Sequence, residues 1–197
     1  MTADEILEDI QSYMPFIEAS GGGITVSGGE PLLQLPFLID LFKKCKAKGI
    51  HTTIDSSGGC FSDSPEFMAL FDELLAYTDL VLVDLKHIDR EGHKKLTGKY
   101  NDHILEFAHH LSDKGTPVWI RHVLVPGVTD KDEYLDRLGE FIGTLGNVEK
   151  VEVLPYHKLG VYKWEALGLN YPLADTVPPS GERVENAYER LTKHVKH

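Results

Sequence analysis

The sequence is poorest in cysteine, in long apolar runs and in positive charge, and each shortage excludes something. Only Cys45 and Cys60 occur among 197 residues. Two thiols cannot supply the three or four thiolates of an iron–sulfur site. The bland reading is a core thiol at Cys45 and a loop thiol at Cys60, although a disulfide between them stays open. No apolar stretch approaches the ~20 residues that a membrane-crossing helix needs. The chain does not open on a basic segment followed by an apolar one, which favours the cytoplasm. Lysine and arginine number 20 against 31 acidic residues, a formal charge of −11. Nucleic acid and anionic membrane both need a basic footprint, so neither is an expected partner.

What is present is the alternation of an α/β protein. Hydrophobic residues make up 42% and charged residues 26%, ordinary for a globular chain, and the length suits one well-cored domain over 1–197. Thr2 and Glu5 form a capping box for a first helix, with Ile6, Ile10, Tyr13, Met14 and Ile17 at helical spacing up to Gly21-Gly22-Gly23. Strands are expected at Ile24–Ser27, Ile50–Asp55, Asp79–Leu85, Val118–Val125 and Lys150–Leu154. Helices are expected at Pro36–Lys48, Pro65–Tyr77, Asp102–Lys114 and Asp132–Thr144, with a last one from near Gly181. The strands start roughly 26 to 38 residues apart, the period of a βα unit. Right-handed crossovers turn such a series into a barrel or an open doubly wound sheet. A βα series normally begins on a strand, so a strand is expected before Thr2, and the edge of Ile24–Ser27 is expected to lie open.

Parallel βα folds bind ligands at the carboxyl ends of their strands. There this sequence places Glu30, Asp55, Asp84 with Lys86, Arg121 and His157. Asp84 and Lys86 are two apart and share a face in extended backbone. Taken singly, each has a plain structural reading. Asp84 with Lys86 makes an ion pair at the rim, Arg121 braces a carboxylate, His157 is a loop histidine, and Gly28-Gly29 and Asp55-Ser56-Ser57-Gly58 are turns. His109-His110 reads as solvent-facing. Five successive strands each offering a polar group at the same end is more than a ligand-free barrel requires.

The ordered set Gly28-Gly29-Glu30-Pro31, Asp55-Ser56-Ser57-Gly58, Asp84-Leu85-Lys86, Trp119-Ile120-Arg121 and Leu154-Pro155-Tyr156-His157 resembles the radical S-adenosylmethionine enzymes that activate glycyl radical enzymes, pyruvate formate-lyase above all. Asn147-Val148-Glu149-Lys150 and Lys163-Trp164 extend the likeness. The resemblance implies a partial TIM-like barrel, here an incomplete parallel βα barrel with about five βα units. It implies that Gly29 and Glu30 hold the methionyl amino group. Asp84, Leu85, Lys86, Arg121 and His157 would contact the rest of S-adenosylmethionine or the substrate segment. Asp55, Ser56 and Asp84 would hold a monovalent cation. Implied partners are a glycyl radical enzyme and an electron donor such as flavodoxin or ferredoxin.

The family also carries a [4Fe–4S] cluster on a C-x-x-x-C-x-x-C motif, which this sequence lacks. No iron–sulfur ligand and no catalytic residue is therefore assigned, and the chain alone is expected to be inactive. Ser57 stands where the family usually has Asn. Two other readings follow from the same residues: a non-catalytic binding or scaffold protein on this fold, and a Schiff-base lyase using Lys86, which Asp84 beside it disfavours.

Overall fold

The computed structural model describes residues 1–196. Five strands form one sheet in the order β1 (Gly23–Val26), β2 (His51–Ser56), β3 (Leu80–Asp84), β4 (Val118–Leu124), β5 (Val148–Pro155). β1 pairs with β2, and β2 with β3, in parallel, Ile24 opposite Thr52 and Asp55 opposite Leu82. Sequential order with a helix in each connection is the expected α/β pattern of a partial barrel, and β1 ends the sheet order as the edge strand.

The helices are α1 (Ala3–Gln11), α2 (Met14–Ser20), α3 (Leu35–Ala47), α4 (Pro65–Leu75), α5 (Arg90–Thr97), α6 (Asp102–Asp113), α7 (Asp132–Thr144), α8 (Val161–Ala166) and α9 (Gly181–Thr192). Thr2 and Glu5 make the expected capping box in α1. The single N-terminal helix expected from periodicity is instead two, because Pro15 sits in the first turn of α2 and its ring and missing N–H cannot continue α1. Two short helices escaped the pattern. α5 is half charged and buries only His93; the Asp89 side chain caps it by accepting from Gly92 N at 2.8 Å. α8 buries nothing, so it has no apolar stripe to read.

The residues group into two compact units. In the first (residues 1–85, 102–120 and 145–150), α3, α4 and α6 bury Phe42, Phe71, Phe107 and Leu111. Phe61, from the loop before α4, packs edge-on to Phe67 at 5.8 Å and lies 5.7 Å from Phe107. His110 is not solvent-facing as the sequence suggested: its ring lies 5.7 Å from Phe71, and its Nε2 bonds Asp72 at 2.8 Å. The second unit (residues 86–101, 121–144 and 151–196) packs α9 on α7. Leu135, Leu138, Ile142, Ala187 and Leu191 are buried there. Arg190 clamps the outside of that contact, bonding both Asp136 oxygens at 2.6 and 2.7 Å and Asp132 at 2.6 Å.

Two predictions follow from this packing. A Cβ at Gly139 would lie 2.3 Å from the Arg190 carbonyl oxygen, so α7 and α9 meet there backbone to backbone. Gly139→Ala is expected to lower stability by about 1–3 kcal/mol in urea unfolding despite alanine's better helix propensity. Gly160→Ala, where a Cβ meets nothing, is expected to stay within about 0.5 kcal/mol. In the first unit, Asp79 accepts from the buried Thr52 N–H at 2.9 Å and pairs with Lys46 at 2.6 Å. Burial pushes its carboxyl up, but Lys46 and Thr52 together hold it below the usual range. Its stabilisation is therefore full above the ordinary carboxylate pKa and lost as pH falls through the depressed value. Asp79→Ala, by stranding the Thr52 N–H, is expected to cost about 1–3 kcal/mol at pH 7 and progressively less on acidification. Thermal melts between pH 7 and pH 3 read both effects.

Candidate functional site

The first unit builds its site where β1 and β2 end. After β1 the chain turns through Gly28 and Gly29, whose φ values of 89° and 52° lie in the left-handed region that glycine occupies without strain. The turn delivers Glu30 as the N-cap of a 3-10 turn over Pro31–Gln34. Pro31, at the first position of that turn, needs no N–H partner.

Two serines at the end of β2 grip the Glu30 carboxylate. Ser56 Oγ donates to Oε1 at 2.6 Å; Ser57 donates to Oε2 from Oγ at 2.9 Å and from its backbone N–H at 3.3 Å. Ser56 Oγ is fixed in turn by accepting from Gly58 N at 2.9 Å. Gly58 has φ 67°, and a Cβ there would sit 2.6 Å from the Phe107 ring. The serine loop is therefore seated directly on the aromatic core. A half-buried carboxylate held on both oxygens is presented in one orientation, with lone pairs left for a cation such as an ammonium.

Asp55 and Asp84 lie beside this loop. The register sets Asp55 opposite Leu82, and side chains alternate along a strand, so Asp55, Leu82 and Asp84 share one sheet face while Ser56 belongs to the other. Of the proposed cation set, the two carboxylates share a face, whereas the Ser56 hydroxyl is committed to Glu30. That serine–glutamate grip was missed from sequence. The one signal for it was a pair of serines closing β2 at the same sheet end as Glu30. Leu85, also placed in the binding set, is buried.

The remaining assigned residues belong to the second unit. Lys86 follows β3 and Arg121 lies in β4, both half-buried. His157, just beyond β5, is exposed, and its Nδ1 accepts from Leu159 N at 3.3 Å. Nearby in sequence, Tyr156 is buried and donates to the Leu173 carbonyl at 3.1 Å.

Neither thiol suits a cluster. Cys45 is fully buried on α3, and burial raises its pKa. Cys60 is pushed up to about 11, by burial first and then by the Glu30 charge. Two thiols, one on α3 and one in the loop before α4, are fewer than a cluster needs, and among the described residues no group of three or more His, Cys, Asp and Glu side chains is arranged to hold a metal ion.

The Cys60 environment is directly testable. At pH 8.5 iodoacetamide is expected to alkylate Cys60 about 100-fold more slowly than an unperturbed thiol, because so little is thiolate. Glu30→Gln is expected to speed the reaction only in part, since burial is the larger cause. Mass spectrometry of the labelled peptide reads the rates.

Comparison with known proteins shows the family. Residues 1–138 match the Radical SAM superfamily. The chain is 60% identical over 196 residues to a pyruvate formate-lyase-activating enzyme of Staphylococcus epidermidis, covering 100% of this chain and 78% of that protein. It is 56% identical over 188 residues to one of Staphylococcus aureus, covering 95% and 75%. A crystal structure of a domain of the Bacteroides vulgatus pyruvate-formate lyase-activating enzyme superposes with a TM-score of 0.71 at 29% identity, covering 88% of this chain and 94% of that one. A radical SAM methyltransferase from Sphaerobacter thermophilus shares the fold at 18% identity and TM-score 0.65, over 98% of this chain and 55% of its own. The family match over residues 1–138 and the 60% identity along the whole of this chain lead to one assignment: this chain belongs to the pyruvate formate-lyase-activating enzyme family of the radical S-adenosylmethionine superfamily.

Proposed function

We propose that this protein serves the activation of a glycyl radical enzyme, pyruvate formate-lyase, with S-adenosylmethionine as its bound cofactor. The observation that carries the reading is the Glu30 carboxylate, locked by Ser56 and Ser57 at the strand ends. Family membership supplies the class of reaction: S-adenosylmethionine is cleaved reductively with a [4Fe–4S] cluster, and a hydrogen is taken from a glycine of the lyase. The cofactor brings the hard chemistry, and the chain's own residues bind and orient.

Glu30 receives the methionyl ammonium, and the backbone freed by Gly28 and Gly29 lets the ligand approach closely. Asp55 and Asp84 hold a monovalent cation against the methionyl carboxylate. Lys86 and Arg121 bring positive charge to the anionic or carbonyl groups of cofactor or substrate segment. His157, exposed beyond β5, offers an imidazole for hydrogen bonding to either. Flavodoxin or ferredoxin is the class of electron donor that a reductive cleavage requires, and a cytoplasmic setting suits one. The two thiols present are too few to hold the cluster.

A second reading of the same residues is a binding protein that takes the cofactor or the lyase without turning either over. Calorimetry separates binding from none. The chain is expected to bind S-adenosylmethionine, and Glu30→Gln to weaken it about tenfold, the loss of one charge-assisted hydrogen bond of roughly 1.5 kcal/mol. Equal affinity in both would remove Glu30 from the site. Electron paramagnetic resonance of pyruvate formate-lyase mixed with the chain, cofactor and reductant decides turnover. A glycyl radical signal supports the activating reading, and its absence alongside retained binding supports the second.

A further inference from the structure

The second unit carries a pocket of about 490 Å³ that none of the roles above uses. Trp164 of α8 and Tyr171 form an aromatic wall, their rings edge-on at 5.5 Å. Leu96, at the last turn of α5, and Tyr134 of α7 line it as well. Its floor is stiff, because the buried His87 ring packs on Tyr134 at 4.6 Å and a Cβ at Gly92 would lie 2.4 Å from that same imidazole. Large apolar side chains are nonetheless left in water: Trp164 is 37% exposed and Leu96 38%.

Two ammoniums border this apolar floor, from Lys95 and Lys131. The Lys131 Nζ lies 5.4 Å from the Tyr134 ring centroid, a cation–π contact. Neither lysine makes an ion pair among the described residues, although the chain carries 31 acidic side chains and a formal charge of −11. The acidic residues of this unit are otherwise drawn on heavily: Asp89, Asp130, Asp132 and Asp136 all pair with arginines. Two uncommitted cations beside an exposed aromatic wall are a complement to an anionic group with an apolar body.

The exposure of the segment that carries Trp164 selects the kind of occupant. The segment that supplies Trp164 also exposes Leu159, Tyr162, Leu167 and Leu169, each more than half accessible. Exposed apolar side chains concentrated in one segment mark a protein-binding face more than a small-ligand site. We propose that this pocket is a docking site for an acidic peptide segment of the protein partner, with one aromatic or branched aliphatic side chain seated against Trp164 and Tyr171 and flanking carboxylates on Lys95 and Lys131. The inference deepens the reading of a protein substrate and rests on it. Charge opposition brings the segment in, and the buried anchor sets how long it stays.

Fluorescence anisotropy of fluorescein-labelled Glu-Asp-Phe-Glu-Asp-amide with the full chain tests the site. Saturable binding is expected, weakening as salt is raised because the contacts are ionic and exposed. Lys95→Glu, Lys131→Glu and Trp164→Ala are each expected to weaken it at least about fivefold, roughly 1 kcal/mol. The peptides with Lys in place of each acid, or Ala in place of Phe, are expected not to compete. Thermal melts verify that each variant is folded; should a charge reversal unfold the chain, the exposed Lys95→Gln repeats the test. No saturation, or equal binding by wild type and variants, overturns the site. Interferometry against immobilised pyruvate formate-lyase separates the two levels. If the lyase binds wild type and variants alike, the docking site fails and the partner stands. If the lyase binds none while the peptide pattern holds, the partner fails and the site stands.

Discussion

The polar loop at the ends of β1 and β2 depends on one carboxylate being held still. Glu30 sits just past the edge strand, where a free glutamate would sample many rotamers and lose entropy on binding. The Ser56 and Ser57 hydroxyls remove that freedom before a ligand arrives. They can do so because Gly58 lets their loop press on Phe107, so the precision of a polar site is set by an aromatic core beneath it. A local change in the core, well away from any ligand, would reach the carboxylate through that loop. Cys60 reports the same arrangement, since burial first and the Glu30 charge second keep the neighbouring thiol protonated.

The second unit is organised on a different constraint, the closeness of two helices. α7 presents Gly139 and Gly143 to α9, and Cβ atoms there would meet the backbone near Arg190 and His194. With side chains removed from the seam, the apolar contact is short-range and the arginine clamp can form outside it. Such exposed ion pairs contribute little singly. Here Arg190 engages two carboxylates at once, and its value is chiefly in orientation. The terminal helix is thereby tied to α7, and the aspartates of α7 are occupied by arginines.

The elements that were legible in sequence are those that bury a regular stripe. α3, with Leu38, Leu41, Phe42 and Cys45, and α7, with Leu135, Leu138 and Ile142, were readable because burial imposes the helical period on the sequence. α5 and α8 were not, because helices that bury almost nothing carry no such imprint. The division of the N-terminal helix was legible in principle at Pro15, but hydrophobic spacing alone ran through it. His110 was misread for a related reason. Its neighbours on α6 do not reveal that Phe61, nearly fifty residues earlier, folds back against the ring.

The order of strands, the α/β class and the residue types at the strand ends were determined by the sequence itself, because period, caps and turn chemistry act over short distances. Which of those polar groups touch was decided by the tertiary structure alone. Ser56 and Asp55 are adjacent in the chain, yet strand alternation assigns them to opposite faces. Ser57 reaches Glu30 only because β1 and β2 are paired in one register and not another. Contacts between residues distant in sequence depend on register and packing, and a one-dimensional pattern carries neither.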